Sequence, residues 1–486
     1  MGGAPAEKSL DFRGSGRRLL RELAVERLRL GLILALGAAG VGLSVLGPRI
    51  LGHATDLIFS GVVGRQLPAG TTQAEAVATL RQHGQSKVAD MVQAMSNLVP
   101  GRGIDFDKVG MVLLGVILIY IGASIFNLFQ GRLTTNLVQR AVFRMRAQVQ
   151  DKLARLPLSY FDRQPRGEIL SRVTNDIDNI AQTLQQTLSQ ILTSLLTIVG
   201  VLTMMFIISP LLALIALVTV PVSVVIVARI GKKAQPQFVA QWTTTGELNG
   251  HIEEMYTGHS LVKVFGRRAE AEAVFAEHND KLFASSFKAQ FISGTIQPAM
   301  MFIGNLNYVL VAVVGALRVA SGALSLGDVQ AFIQYSRQFS QPLTQVASMA
   351  NLLQSGVASA ERVFALLDAE EQDPDPVEPQ RPTQVRGRVE FQDVSFRYVA
   401  DTPLIDDLSL SVQPGQTVAI VGPTGAGKTT LVNRVMRFYE LEGGRITLDG
   451  VNIADMRRDE LRGEIGMVLQ DTWLFEGSIR DNIAYG

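Results

Sequence analysis

There is no cysteine among the 486 residues, so disulfides, thiolate chemistry and Cys-ligated zinc or iron–sulfur centres are excluded and the redox compartment cannot be read. Charge is scarce as well. Asp, Glu, Lys and Arg make up 18% of the chain, the formal net charge is +1, and the five histidines show no metal-ligand spacing. Phosphate neutralisation along a nucleic acid needs a dense basic face, so nucleic acid is not a partner. What is abundant is apolar surface. Hydrophobic residues reach 47% and the mean hydropathy is +0.22, too apolar for a soluble protein of this length, which itself points to more than one domain.

The apolar residues come in runs. Leu30 to Pro48 and Val109 to Gly131 carry no charge, and each is long enough as a helix to cross about 30 Å of hydrocarbon. Asn179 to Ala228 is a double-length uncharged run, and Ser209-Pro210 in its middle supplies the turn of a helical hairpin. Ala289 to Leu317 is a fifth run and Gln338 to Ala360 a sixth, the last sprinkled with Gln341, Gln345, Asn351 and Gln354. Those amides suit either a cavity wall or hydrogen bonds between helices. Arg13, Arg17, Arg18, Arg21, Arg27 and Arg29 precede the first run, and by the positive-inside rule they hold the N-terminus in the cytosol. Six crossings return the C-terminus there, with the base-rich connections 132–172 and 229–288 on the same side. Five further spans exclude a cleaved signal peptide. The connection 61–107 carries a helically patterned piece, AEAVATLRQHGQSKVADMVQAM, and is expected to fold as a short external helix.

Beyond Asp368, AEEQDPDPVEPQRPTQ is acidic and Pro-rich without apolar periodicity, which marks a linker. The expected organisation is a six-helix transmembrane domain over 1–368, a linker over 369–386, and a nucleotide-binding domain over 387–486. RVEFQDVSFRY and LSLSV read as strands, and TVAIV as a third that leads into GPTGAGKTT and the helix LVNRVMRF. GPTGAGKT fits the phosphate-loop pattern G-x-x-x-x-G-K-[ST]. In it Gly422, Gly425 and Gly427 let backbone N–H groups of the segment Gly422, Pro423, Thr424, Gly425, Ala426, Gly427 wrap phosphates without Cβ interference. Lys428 supplies charge, the helix dipole at Lys428, Thr429 and Thr430 favours the anion, and Thr429 can offer its hydroxyl to Mg²⁺. A soluble P-loop kinase is excluded by the apolar spans.

Taken with these surroundings, the chain resembles the ATP-binding cassette exporters, the fused half-transporters of the multidrug and lipid exporter type. The resemblance covers nearly the whole chain. It implies an α-helical membrane domain of six transmembrane helices followed by an incomplete α/β P-loop nucleotide-binding domain. Tyr398 in SFRY stands where that family stacks adenine on an aromatic ring, and Gln470 in IGMVLQDTWLF matches the lid glutamine that reaches Mg²⁺ and the attacking water. SYFDRQPRGEILSRVTNDID and MYTGHSLVKVFGR look like the two coupling helices that carry force between domains, and SGALSLGDVQAFIQY resembles the entry to span six. The resemblance implies ATP and Mg²⁺ as cofactors and a second half-transporter as partner. It also implies a multi-pass place in the cell inner (plasma) membrane, in contact with the lipid bilayer. The transported substrate would be a hydrophobic small molecule or lipid. A complete family member continues past the lid with an L-S-G-G-Q signature, a Walker B strand with the catalytic glutamate, and a switch histidine. None of these occurs up to Gly486. The expectation is a truncated product or fragment with no catalytic residues of its own, unable to hydrolyse ATP alone. Its core strands TVAIV and IGMVL would be left with unpaired edges. The alternative from another class is a non-transporting ATP-binding membrane subunit or an inactive partner left by truncation.

Overall fold

The computed structural model describes residues 10–95, 98–398, 404–423, 425–468 and 473–485; the side chains at 87, 340, 343, 344, 346–348, 350 and 351 also fall outside what is described. The chain groups into two compact units, residues 1–144 with 176–361 and residues 145–175 with 362–486.

In the first unit, α1 (Phe12–Ala24) is capped by the Asp11 side chain, which accepts from the Gly14 amide. It leads into α2 (Arg27–Gln66). The connection that follows, 61–107, forms two helices, α3 (Gln73–Gln82) and α4 (Ser86–Ala94), where one was expected. A reciprocal Thr72–Glu75 capping box starts the first, and Gly84, with φ of 74°, breaks the pattern between them. Val77, Ala89, Val92 and Leu98 close a small core of their own. Next comes α5 (Phe106–Arg155), whose residues from Met145 onward belong to the second unit, as do the short α6 (Leu158–Arg163) and α7 (Arg166–Ser171) and, up to Asn175, a π-helical turn over Arg172–Asp176. The stretch expected to be the first coupling helix is thus two helices, because Gln164 ahead of Pro165 is held extended at ψ of 142°.

The expected hairpin is present. Helix α8 (Ile177–Ile208) ends at Ser209, and α9 (Pro210–Thr257) begins with Pro at its first position and the Ser209 hydroxyl accepting from Leu212 N at 3.4 Å. The stretch expected to be the second coupling helix is the single helix α10 (His259–Val264), followed by α11 (Arg268–Gly294), α12 (Ile296–Ala320) and α13 (Leu326–Leu367). Among the described residues five helical stretches are long and apolar enough to cross a membrane: Arg27–Gln66, Phe106–Arg155, Arg166–Ile208, Pro210–Thr257 and Arg268–Ala320. The sixth expected span coincides with α13, which is long enough but is diluted by its amides. Met111, Leu114, Leu118, Ile121 and Leu128 of α5 are all exposed, an apolar surface that lipid, not water, can cover. Val45, Val201, Met205, Leu212, Phe332 and Tyr335 pack the interior of the unit.

In that interior amide side chains on α8 and α13 join the two helices. Gln345 Oε1 accepts from Gln190 Nε2 at 2.5 Å and Ser194 Oγ at 3.4 Å, and Asn179 Nδ2 donates to Ser355 Oγ at 3.0 Å and Ser359 Oγ at 2.8 Å. For Gln345 the interhelical bond is therefore realised. The side chain of Asn351 lies outside the described residues.

The second unit holds β1 (Val389–Phe396), β2 (Ile405–Val412), α14 (Lys428–Val435), β3 (Gly443–Leu448), β4 (Val451–Asn452), α15 (Arg458–Gly463) and α16 (Ile479–Ile483). The strands form one antiparallel sheet in the order β2-β1-β3-β4, and Phe391, Val394, Ile446, Leu448, Met456 and Leu461 pack its core. Two expected strands do not form. Residues 417–421 and 465–468 are irregular, with Val421 and Val468 exposed. A strand exists only through a paired neighbour, and no described segment pairs with either. The linker is irregular but pinned: Glu371 pairs with Lys152 at 2.8 Å and Arg155 at 2.9 Å, Asp375 pairs with Arg458 at 2.6 Å, and Arg381 pairs with Glu460.

Candidate nucleotide site

The phosphate loop runs from Gly422 into the first turn of α14. Gly425 (φ 89°) and Gly427 (φ 86°) are left-handed, a conformation an L side chain resists. Gly422 is not left-handed; a Cβ there would come 3.2 Å from Ala426 Cβ, which would have to give by a few tenths of an ångström. The Ala426 amide turns back to the Pro423 carbonyl at 3.2 Å, which closes the curve of the loop. Gly427 is the N-cap of α14, so Lys428, Thr429 and Thr430 occupy the helix end whose free N–H groups and dipole favour an anion. Lys428 Nζ folds over the loop and donates to the carbonyls of Gly422 (2.9 Å) and Pro423 (2.8 Å). Thr429 is exposed and Thr430 buried.

These residues fit a polyphosphate: a small-residue cradle, a helix N-terminus and one ammonium meet in a single turn. Thr429 can supply a hydroxyl to a divalent cation. Among the described residues no group of three or more His, Asp or Glu side chains is arranged to hold a metal, so such an ion would also need phosphate oxygens. Thr424 and Gln470, both expected in the site, lie outside the described residues. Tyr398 follows β1, is 42% exposed, and its hydroxyl meets Thr430 Oγ1 at 3.3 Å. An accessible ring is thereby tethered one residue past the loop.

Sequence reasoning missed what lies behind that ring. Phe396, Tyr398 and Tyr439 enclose Arg434 of α14, and the Tyr439 hydroxyl donates to the Asp162 carboxylate on α6. Burial, reinforced by the Asp162 carboxylate, raises the pKa of the Tyr439 phenol. A signal was available: Leu431, Val435 and Phe438 form the apolar stripe of the helical pattern, and Arg434 falls on it.

Two family descriptions match the chain, "ABC transporter transmembrane region" over residues 30–343 and "ABC transporter" over residues 405–485. A fatty acid ABC transporter ATP-binding/permease protein of Mycobacterium tuberculosis is 55% identical over 482 residues, 99% of this chain and 76% of that relative. An uncharacterised ABC transporter ATP-binding protein of Bacillus subtilis is 36% identical over 479 residues, 99% of this chain and 72% of the relative. An ATP-dependent lipid A-core flippase of Syntrophus aciditrophicus is 31% identical over 373 residues, 77% of this chain and 62% of the relative.

Proposed function

Because this chain belongs to the ABC transporter family, with a membrane-spanning region and an ATP-binding region in one polypeptide, we propose that it is one half of a dimeric exporter or flippase. Its cargo is a lipid-like amphiphile, with a fatty acid as the first candidate. It is a multi-pass membrane protein that carries out ATP-driven transport. The organisation is a transmembrane domain over 1–368, a linker over 369–386 and the nucleotide-binding region over 387–486. The membrane is the cell inner (plasma) membrane and both termini are cytosolic, a reading supported by the arginines ahead of α2. Cargo chemistry is supported by the names of the relatives, a fatty acid transporter and a lipid A-core flippase, and by the scarcity of charge in the apolar spans.

The observation that carries the reading is the left-handed Gly425–Gly427 turn entering α14. In this proposal the amides of 425–428 donate to phosphate oxygens, Lys428 exchanges its two loop carbonyls for phosphate, and Thr429 and Gln470 hold Mg²⁺. Tyr398 offers its face to the base. Bound MgATP supplies the free energy that drives transport. The family's signature, Walker B glutamate and switch histidine do not occur among these 486 residues. These residues alone bind ATP without hydrolysing it, and the dimer partner is a second half-transporter.

The test is transport of labelled fatty acid, dye and peptide by the full-length protein in proteoliposomes. Fatty acid transport that requires ATP and disappears in Lys428→Ala supports the reading. Transport at the wild-type rate in Lys428→Ala would remove the phosphate loop from the mechanism, and peptide-only transport would remove the lipid cargo.

A further inference from the structure

Arg434 is 1% exposed, and none of its three guanidinium nitrogens has a hydrogen-bond partner among the described residues. Its Cζ lies 3.1 Å from the ring centre of Phe396, 4.5 Å from that of Tyr439 and 5.5 Å from that of Tyr398. Those rings meet edge-on, Phe396 to Tyr398 at 4.8 Å and Tyr398 to Tyr439 at 5.4 Å. Aromatic faces attract a cation, but they replace lost water only in part. Burial accordingly pushes the guanidinium down to about 10, which leaves it charged at neutral pH. An unbranched apolar side chain of similar length would fill the space without desolvating a charge, so this arginine is a burden on the fold. A buried donor set left unsatisfied in this way calls for a role.

The cluster has two working edges. At one, Tyr398 is tethered to Thr430 beside the phosphate loop; at the other, Tyr439 is bonded to Asp162 in the connection between α5 and α8. We propose that Arg434 is a positioning residue that locks Tyr398 and Tyr439 into one aromatic cluster, so that base binding at Tyr398 and the Tyr439–Asp162 contact are thermodynamically linked. The inference rests on the nucleotide site proposed above. Linkage between two binding events is reciprocal: if the base on Tyr398 steadies the Asp162 contact, loss of that contact weakens the base by the same factor. Asp162 and Tyr439 stand 277 residues apart in the chain, which makes the cluster a route from the base to the membrane helices that bypasses the phosphates.

Tripolyphosphate, which has the phosphates of ATP and no base, separates this role from general damage. Affinities of ATP and tripolyphosphate are measured by displacement of a fluorescent nucleotide from the full-length transporter in nanodiscs, alongside thermal unfolding of the nucleotide-free protein. Arg434→Met is expected to weaken ATP about tenfold while tripolyphosphate changes less than about twofold, with the unfolding temperature equal or higher. Arg434→Lys restores part of the loss. Asp162→Asn and Tyr439→Phe each weaken ATP roughly threefold in the wild type and no further in the Arg434→Met background. The inference is overturned if Arg434→Met leaves ATP unchanged, if it weakens both ligands equally with a fall in unfolding temperature, or if the Asp162 and Arg434 effects simply add. Lys428→Ala distinguishes the two levels. If it spares both ligands the nucleotide site itself is misassigned, whereas loss of both ligands in Lys428→Ala with no base-specific loss in Arg434→Met overturns the linkage alone.

Discussion

Gly427→Ala puts the geometry of the phosphate loop to a quantitative test. Gly427 sits at φ 86°, ψ 12° as the N-cap of α14, and an L residue in that region costs about 1–2 kcal/mol. The added Cβ would also come 3.3 Å from Leu404 Cγ, a contact tight enough that Leu404 must give way. Strain and crowding together come to ~2 kcal/mol, which converts to roughly a thirtyfold loss of ATP affinity if binding demands the left-handed turn and the free loop can relax out of it. Gly425→Ala is the matched control. Its φ is 89°, but a Cβ there meets nothing within 4 Å, so only the strain remains and the loss is about tenfold. Adding Leu404→Ala to Gly427→Ala recovers the difference between the two. The assay is fluorescent-nucleotide titration of the full-length protein. If Gly427→Ala binds ATP within twofold of wild type while Lys428→Ala does not, the left-handed turn is not what shapes the site.

Three further outcomes follow from the packing. In the helical unit a Cβ at Gly327 would overlap the carbonyl oxygen of Gly52 and come 2.6 Å from Asp56 Oδ2. Gly327→Ala therefore destabilises by at least ~2 kcal/mol, read as a lowered unfolding temperature in detergent; Gly31→Ala, with nothing within 4 Å, stays at the wild-type value. For Asp449, burial pushes the carboxyl up, but hydrogen bonds from the amides of Gly387, Arg386 and Arg388 outweigh it and hold the group below the usual carboxylate range. A folded pKa below the unfolded one gives stabilisation that is complete above the unfolded value, about 3.9, and is lost as pH falls through the folded one. Asp449→Asn should thus lower stability at pH 7 and flatten the acid limb of the unfolding curve below about pH 4; an unchanged acid limb counts against the assignment. Glu371→Gln removes the carboxylate that holds Lys152 and Arg155, and trypsin should then cut faster after Arg386, at the end of the linker, where glycine follows; equal cleavage rates would mean that the linker is not pinned through Glu371.

Much of the architecture was readable along the chain because its causes are local. A crossing helix is a run of uncharged residues, and the turn at Ser209-Pro210 needs only a capping hydroxyl and a proline at N1. The phosphate loop is equally local, since glycine spacing dictates where backbone can turn left-handed. The helix pair of α3 and α4 was half legible: its helical period was visible, but the break at Gly84 was not separated from it. TVAIV and IGMVL misled because apolar β-branched runs give strand propensity, whereas a strand also requires a partner across the ladder.

By itself, then, the sequence determined five apolar helices of crossing length, the irregular proline-rich stretch after Asp368 and the left-handed glycine turn ahead of α14, each written within a few tens of consecutive residues. Only the tertiary structure decided that Arg434 would be buried among Phe396, Tyr398 and Tyr439, that Tyr439 would reach Asp162, and that Gln345 would bond Gln190. Those contacts join side chains from separate elements. The energy of a buried cation or amide depends on which groups surround it in space, and no periodicity along one segment encodes that.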